Sequence, residues 1–270
     1  MRILITNDDG INAPGLKILT KIALQLTDKD NVVTVAPSSE RSGVGHCISY
    51  ASPMMITEIE QNRFSVDGYP ADCVLAGIYH VFDGKKPDLV LSGVNKGNNS
   101  AENVLYSGTI GAALEGALQG IKSIALSQYY GPQNINLKNP FEASEIHGVQ
   151  VINEILDSKL PLSEGYKIFY NVNFPPTTAQ NVCGVRYVKQ GLRPKSFFST
   201  KSLSGVPSAI PAESYPRYSS FRSPSIKKGT MSFSETAATI PHILIIYLKF
   251  LLSCFCWSLP ISDKRLFGAR

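Results

Sequence analysis

The chain has 270 residues, of which 43% are hydrophobic, so it can bury a sizeable core. Its formal charge of +5 is uneven, because residues 1–200 hold 17 Lys and Arg against 18 Asp and Glu, whereas residues 201–270 hold 9 against 3. The near-neutral first part carries no electrostatic footprint for nucleic acid, which argues against a nucleic-acid-binding protein. Five cysteines show neither zinc-ligand spacing nor a paired framework, and the N-terminus lacks a signal-peptide pattern. We therefore expect a cytoplasmic protein.

An apolar run at residues 3–6 leads directly into Asn7, two adjacent carboxylates, Asp8 and Asp9, and then Gly10. This pattern predicts the first strand of an open α/β sheet that delivers both carboxylates to its carboxyl edge, where ligands bind. Neighbouring carboxylates repel each other, and a hard cation such as Mg²⁺, Mn²⁺ or Ca²⁺ relieves that repulsion. The alternative is a polar turn, since Asn-Asp-Asp-Gly is also favourable turn sequence.

Helical spacing of apolar residues begins at Pro14, and a short apolar run follows at 32–36. Strand, helix and strand in succession predict a right-handed βαβ unit and a parallel sheet. The loop at 37–46 is polar and rich in glycine, so its hydroxyl groups would lie at the same sheet edge as the carboxylates. Two residues of this loop could contact a substrate. Alternatively, Arg41 is a solvated surface charge and His46 is a hydrogen-bonded residue without a catalytic role.

The segment 48–67 is predicted to be extended and hairpin-like, and a helix is predicted to begin at Pro70. Asp72 would then lie in the first helical turn, where an acidic side chain is favourable, and Cys73 would lie in the core. The next apolar strand, at 88–92, leads into a second polar and glycine-bearing loop at 93–99. That loop supplies neutral oxygen ligands and Lys96, although Asn-rich loops are most often turns.

Ser107, Gly108 and Thr109 open a helix that is rich in small residues. Free N–H groups and the helix dipole make such a helix start an anion-binding site, for which phosphate is the natural candidate. The alternative is that the serine is an ordinary N-cap. The α/β alternation continues with a strand at 124–127, a helix at 141–157 and a strand at 167–173.

Five motifs in one order resemble the SurE survival-protein family of metal-dependent nucleotidases. They are ILITNDDG at 3–10, APSSERSGVGH at 36–46, GYPADCV at 68–74, LSGVNKGNN at 91–99 and YSGTIGAALEG at 106–116. The resemblance covers about residues 1–195 and implies a Rossmann-like open, mostly parallel sheet with helices on both faces. It implies a phosphatase domain over residues 1–198.

The resemblance also implies the site. One divalent cation, Mg²⁺ or Mn²⁺, would be held by Asp8, Asp9, Ser42 and Asn95, and Asn7 would orient the two carboxylates. The remaining phosphate oxygens would be bound by Ser107, Gly108 and Thr109, with Gly43 nearby. Asp8, Asp9 and Asn7 would carry catalysis, and Asn98 stands where the family usually has proline.

The implied activity is that of a 5'-nucleotidase, which hydrolyses nucleoside 5'-monophosphates, with 3'-monophosphates and short polyphosphates as further substrates. Family members assemble as dimers or tetramers, so a homo-oligomer is expected, with its assembly in doubt because of the tail described next. Neither nucleic acid nor membrane is an expected partner.

From about Ser199 the resemblance ends. Residues 199–270 form a basic tail that is Ser/Pro-rich and predicted to be disordered from 202 to 234, and that carries an apolar run at 243–259. This run is at the lower length limit for a membrane span and contains Lys249, so a membrane anchor is the weaker interpretation. A frameshifted or replaced C-terminus is a simpler explanation than a membrane anchor, because the charge and serine content change abruptly where the resemblance ends.

Two interpretations of function follow. The first is a metal-dependent phosphatase acting on nucleoside monophosphates. The second is a vestigial protein that still binds metal and phosphate but has lost substrate walls and oligomer contacts with its altered C-terminus. A membrane-tethered form is a third, weaker interpretation.

Overall fold

A computed structural model gives the structure of the chain, and it describes residues 1–158, 168–188 and 190–191 and the backbone of 243–250. The described residues form nine strands: β1 Ile3–Thr6, β2 Val32–Pro37, β3 Ile56–Glu60, β4 Arg63–Val66, β5 Leu89–Lys96, β6 Lys122–Gln128, β7 Phe169–Phe174, β8 Val182–Val188 and β9 Ile243–Phe250. The helices are α1 Pro14–Ala23, α2 Pro70–Ala76, α3 Asn103–Tyr106, α4 Gly108–Leu118 and α5 Glu142–Asp157.

All nine strands belong to one sheet, in the order β3-β4-β2-β1-β5-β6-β7-β9-β8. Every neighbouring pair is parallel except β3 with β4 and β8 with β9, so the two antiparallel strands lie at the outer edges. The predicted α/β fold with an open, mostly parallel sheet is confirmed.

The helices cover both faces of the sheet. On one face α1 and α5 pack against the strands through residues such as Leu19, Ile22 and Ile152, which are fully buried. On the other face α2 and α4 contribute Cys73, Val74 and Ala112 to a second cluster. Strands covered on both sides read as nearly continuous apolar runs, which is why β1, β2 and β5 are recognisable in the sequence.

The sheet reverses its strand order between β1 and β5. The chain moves from β1 to β2 on one side and later returns to β5 on the other, so a crevice opens at the carboxyl ends of β1 and β5. β5 is longer than the predicted strand at 88–92, because it continues past a register shift between Ser92 and Asn95 and ends at Lys96. The shift carries Asn95 and Lys96 to the crevice.

The predicted hairpin and helix before β5 are also confirmed. β3 and β4 pair antiparallel, and α2 begins at Pro70 with Asp72 in its first turn and Cys73 fully buried. The Asp72 carboxylate accepts hydrogen bonds from the backbone N–H groups of Tyr69 and Ser49, both at 2.9 Å. These bonds fasten the start of α2 to the segment before the hairpin.

The tail differs from its prediction at one place. The sequence predicts no strand of the sheet beyond about residue 199, yet the first eight residues of the apolar run form β9, which pairs with β7 and β8. The edge of β7 offers unpaired backbone groups, and an isoleucine-rich segment readily pairs with such an edge. The other residues of the tail lie outside the described residues, and within the described part no helix is long and apolar enough to cross a membrane.

Candidate active site

Asp8 occupies the centre of the crevice, just beyond the end of β1. Its side chain is only 3% exposed, and Thr109 Oγ1 donates a 2.6 Å hydrogen bond to its Oδ1. Burial, together with the charge of Asp9, raises the pKa of Asp8 to about 6, even though the bond from Thr109 acts in the opposite direction. The charged form is therefore costly here without a further positive partner.

Asp9 lies at the opening of the crevice, beside the end of β5. Its Oδ2 accepts a 3.2 Å hydrogen bond from the backbone N–H of Lys96. Burial raises the pKa of Asp9, and the charge of Glu40 adds to this, while Lys96 offsets part of it. Two adjacent carboxylates, both with raised pKa values, therefore face the same crevice.

The loop after β2 is tied to this pair through its backbone. The N–H of Arg41 donates a 2.7 Å hydrogen bond to the Asp8 carbonyl oxygen, which places the following residue, Ser42, at the crevice. Ser42 is exposed, and its hydroxyl donates to Glu40 Oε1 at 2.8 Å. Gly43 has a φ of +77°, a conformation that glycine adopts at little cost.

The loop after β5 is anchored on its far side by buried amides. The Asn99 backbone N–H donates to Asn173 Oδ1 at 2.8 Å, and Asn171 Nδ2 donates to the Asn99 carbonyl oxygen at 2.7 Å. Asn171 and Asn173 belong to β7, so the segment beyond Asn95 is fixed to a central strand. Asn95 itself donates through Nδ2 to the Gly97 carbonyl oxygen at 2.9 Å, which leaves its amide oxygen available.

The start of α4 abuts Asp8. Ser107 is the N-cap, and its hydroxyl oxygen accepts a 3.2 Å hydrogen bond from the N–H of Ile110. Gly108 follows at a position where a Cβ atom would lie 2.8 Å from Asp8 Cβ. Only glycine allows the positive end of this helix to approach the carboxylate so closely.

A histidine–carboxylate pair braces the loop after β2 against α4. His46 Nε2 lies 2.7 Å from Oε2 of Glu115, which is 3% exposed. Burial alone would raise the pKa of Glu115, but the hydrogen bonds from His46 and Gln119 outweigh it and lower that pKa. His46 is thus a hydrogen-bonded bracing residue in this structure, one of the two alternatives that the sequence leaves open.

Arg41 likewise has an internal partner. Its guanidinium lies 3.0 Å from Asp67 Oδ1 and over the ring of Tyr69, 5.6 Å from the ring centroid.

The oxygen atoms of the crevice fit a hard cation. Asn7 Oδ1 is buried and accepts no hydrogen bond from the residues that the structure describes, while Asn7 Nδ2 donates to the Gly10 carbonyl oxygen at 2.9 Å. The same part of the chain contains no cluster of three or more His, Cys, Asp or Glu side chains placed to hold a metal. A cation here could be held by the carboxylates of Asp8 and Asp9 with neutral oxygen atoms, a donor type that suits Mg²⁺ or Mn²⁺.

The sequence-predicted residues are brought together to different degrees. Asp8, Gly108 and Thr109 are in direct contact, and Ser107 caps the same helix. Ser42 lies on the loop after β2 and Asn95 near the end of β5, and a residue next to each bonds to Asp8 or Asp9. The side chains of Ser42 and Asn95 themselves bond to residues two positions away in the chain. Their role as metal ligands, and that of Gly43 in binding phosphate, stay predictions.

Sequence reasoning does not find the contacts that support the site. The bond from Thr109 to Asp8, the pairing of His46 with Glu115 and the anchoring of Asn99 by β7 all join positions far apart in the chain. The one local signal is a repeated asparagine in β7, at 171 and 173, because amides on a buried central strand require hydrogen-bond partners.

Comparison with known proteins agrees with this architecture. Residues 3–196 match the family described as Survival protein SurE. A relative from Roseobacter denitrificans, named 5'-nucleotidase SurE, is 60% identical over 202 residues, covering 74% of this chain and 77% of the relative. A second 5'-nucleotidase SurE, from a Jannaschia species, is 63% identical over 195 residues, or 72% of this chain and 74% of its own length.

A solved structure also superposes on the chain. The crystal structure of the SurE protein from Aquifex aeolicus matches with a TM-score of 0.63 and 35% identity, and covers 74% of this chain and 75% of its own. The match of residues 3–196, the identity to the relatives and the shared sheet lead to one conclusion. This chain belongs to the SurE survival-protein family.

Proposed function

We propose that the protein is a metal-dependent 5'-nucleotidase that hydrolyses nucleoside 5'-monophosphates to nucleoside and phosphate. The observation that carries the proposal is the position of Asp8, which lies against the start of α4 and near the charge of Asp9. A phosphomonoester needs positive charge on one side and hydrogen-bond donors on the other, and this crevice offers a place for both. The names of the relatives support the same activity.

The cation would be held by Asp8, Asp9, Ser42 and Asn95. When bound, Mg²⁺ or Mn²⁺ would provide Lewis acidity and an activated water molecule. Asn7 fixes the turn that presents the two carboxylates, through its hydrogen bond to the Gly10 carbonyl oxygen.

The substrate phosphoryl group would bind at the start of α4. Its negative oxygens would lie against the N-terminal amides at Ser107, Gly108 and Thr109, where the helix dipole favours an anion. Thr109 has a second role, because its hydroxyl donates a hydrogen bond to Asp8 and holds that carboxylate in one orientation. Gly43, on the facing loop, would contribute a further amide.

Two further activities belong to this proposal. Nucleoside 3'-monophosphates and short polyphosphates present the same terminal phosphoryl group as nucleoside 5'-monophosphates. Activity in the cytoplasm and assembly with further copies of the chain are part of the same proposal.

Phosphate release by the full-length chain tests the proposal. Nucleoside 5'- and 3'-monophosphates and tripolyphosphate are assayed with Mn²⁺, with Mg²⁺ and with chelator. We expect metal-dependent release, and a loss of about 1,000-fold or more in Asp8→Asn, since this carboxylate would bind the cation and lies against the start of α4. Asp30→Asn is the matched control, because it removes the same charge from an exposed position before β2, at the opposite sheet edge.

An inactive but folded wild-type protein would contradict the proposal. That outcome would favour the vestigial interpretation, in which metal raises the melting temperature of the protein without any phosphate release. Equal activity in Asp8→Asn and wild type would contradict the assigned site.

A further inference from the structure

Two cations lie over aromatic rings at the rim of the crevice. Arg41 lies over Tyr69, and Lys96 lies over Tyr130, with its Nζ 5.7 Å from the ring centroid. They differ in their ionic partners, because Arg41 pairs with Asp67 whereas Lys96 forms no ion pair with any residue that the structure describes. The exposed ammonium group of Lys96 is therefore available to an anion.

The position of Lys96 is fixed by its backbone and by its ring partner. Its N–H donates to Asp9 Oδ2 at 3.2 Å, so the residue begins at the carboxylate pair. The Tyr130 ring packs edge to face against Phe141, with 5.4 Å between the ring centroids, and Phe141 is 5% exposed. A ring held against the core is a stable support for an ammonium group, since the face of an aromatic ring attracts cations.

Tyr130 also lies near Asp9. Burial, and then the negative charge of Asp9, raises the pKa of the Tyr130 phenol to about 12. Asp9, Lys96 and Tyr130 therefore form one wall of the crevice, while Gly108 and Thr109 at the start of α4 contact Asp8. The Lys96 ammonium group lies over the Tyr130 ring, whereas the anion site at the start of α4 consists of backbone amides.

We propose that Lys96, supported by the ring of Tyr130, binds a second anionic group of the substrate and thereby favours phosphomonoesters whose leaving group carries its own phosphate. This inference rests on the proposed phosphatase activity and adds a specificity residue to it. Lys96 touches the substrate, and Tyr130 is a positioning residue that acts through Lys96.

The test compares two substrates that differ by one phosphate. Initial rates of phosphate release from adenosine 5'-monophosphate and adenosine 3',5'-bisphosphate are measured with the full-length chain and Mn²⁺. In Lys96→Ala we expect kcat/KM for the bisphosphate to fall by about two- to fivefold, mainly through KM, because one exposed charge–charge contact is lost. The monophosphate should lose less than the bisphosphate, because it loses only the effect of the Lys96 charge on Asp9.

Side-chain replacement leaves the backbone bond from residue 96 to Asp9 in place, so the fold of the site is retained. Lys96→Arg should keep the preference, because guanidinium groups also stack on aromatic rings. Lys85→Ala is the matched control, since it removes an exposed lysine before β5, at the opposite edge of the sheet. It should alter neither substrate.

Two further measurements distinguish anion binding by Lys96 from a purely structural role of Lys96. They are the bisphosphate preference of Tyr130 variants and the dependence of that preference on salt. Tyr130→Leu should lower the bisphosphate preference by about two- to threefold, while Tyr130→Phe should retain it. The difference between wild type and Lys96→Ala should shrink as NaCl rises from 0.05 M to 0.5 M, because salt screens exposed charges.

Two results would overturn the inference while the proposed function stands: an equal loss for both substrates in Lys96→Ala, or no loss for either. Absence of phosphate release from any substrate by wild type is a separate result. It would overturn the proposed function and this inference with it.

Discussion

The two sides of the crevice are built differently. On one side Asp8, Gly108 and Thr109 are buried and pack directly on one another. On the other side Ser42 and Gly43 are exposed, and the Ser42 hydroxyl is bonded to Glu40 within its own loop. The buried side is preorganised by packing. The exposed loop is attached by backbone hydrogen bonds from Arg41 to Asp8 and from Gly45 to Tyr106 of α3, and by the pairing of His46 with α4. Substitutions on the two sides should therefore differ in size and in kind.

Among the substitutions that compare the two sides, the largest effect is expected from Gly108→Ala. The added Cβ would lie 2.8 Å from Asp8 Cβ, so either α4 or the end of β1 must move. We expect phosphate release to fall by about 100-fold or more and the free energy of unfolding by about 1–3 kcal/mol. Both are measured in the same preparation, by steady-state kinetics and by urea unfolding.

Gly43→Ala is the matched substitution on the exposed side. Apart from its chain neighbours, no described residue has a heavy atom within 4 Å of the added Cβ, so the expected cost comes from the φ of +77°. A loss of about 1 kcal/mol in the free energy of unfolding is expected, with a smaller loss of activity than in Gly108→Ala. A larger loss of activity in Gly43→Ala than in Gly108→Ala would show that activity depends more on the conformation of the exposed loop than on the packing of the buried side.

Hydroxyl removal sharpens the same comparison. Thr109→Val keeps the shape of the side chain but removes the donor to Asp8 Oδ1, and loss of such an orienting partner typically lowers metal affinity by about 10–100-fold. Ser42→Ala should cost about tenfold or less, because water can take the place of an exposed hydroxyl. Mn²⁺ titration of both variants tests this order, and a greater loss in Ser42→Ala would contradict it.

The smallest effect concerns the pair that braces the exposed loop. The pKa of Glu115 is lowered from 4.5, although burial alone would raise it, because His46 and Gln119 bond to the carboxylate. Such a group stabilises the fold above its unfolded-state pKa, and that contribution is lost as the pH falls through the lower folded-state pKa.

Glu115→Gln should therefore lower the free energy of unfolding by about 1 kcal/mol at pH 5.5. The difference from wild type should diminish toward pH 3.5. Urea unfolding in chelator at both pH values measures it, and a difference that does not depend on pH would mean that shape, not charge, is what Glu115 supplies.

Local patterns suffice for the elements that carry the chemistry. The apolar run before Asp8, the helical spacing after Pro14 and the Ser-Gly-Thr start of α4 are each confirmed at nearly the predicted bounds. The end of β5 differs, because the strand continues through a register shift between Ser92 and Asn95. Gly93, which lies within this shift at a φ of +132°, is equally typical of a bulge and of the start of a loop. Whether Ser42 and Asn95 reach the cation stays a prediction from the family resemblance.

Contacts between distant segments are beyond local patterns. Nothing near Thr109 in the sequence indicates that its hydroxyl bonds to a residue 101 positions earlier. The same holds for β8, whose side chains are half exposed and alternate only weakly, so Pro175 looks like the end of the α/β part. Its strand becomes recognisable only when its partner is known.

The position of β9 sets an order of events during synthesis. β8 follows β7 closely in the chain, yet among the described strands its sole partner is β9, which lies between β7 and β8 in the sheet. Residues 189–242 must therefore leave the ribosome before β8 has a neighbour, and closing a connection of that length carries an entropic cost. Until then the nascent chain presents the edge of β7 and an unpaired β8, both open to pairing with another chain.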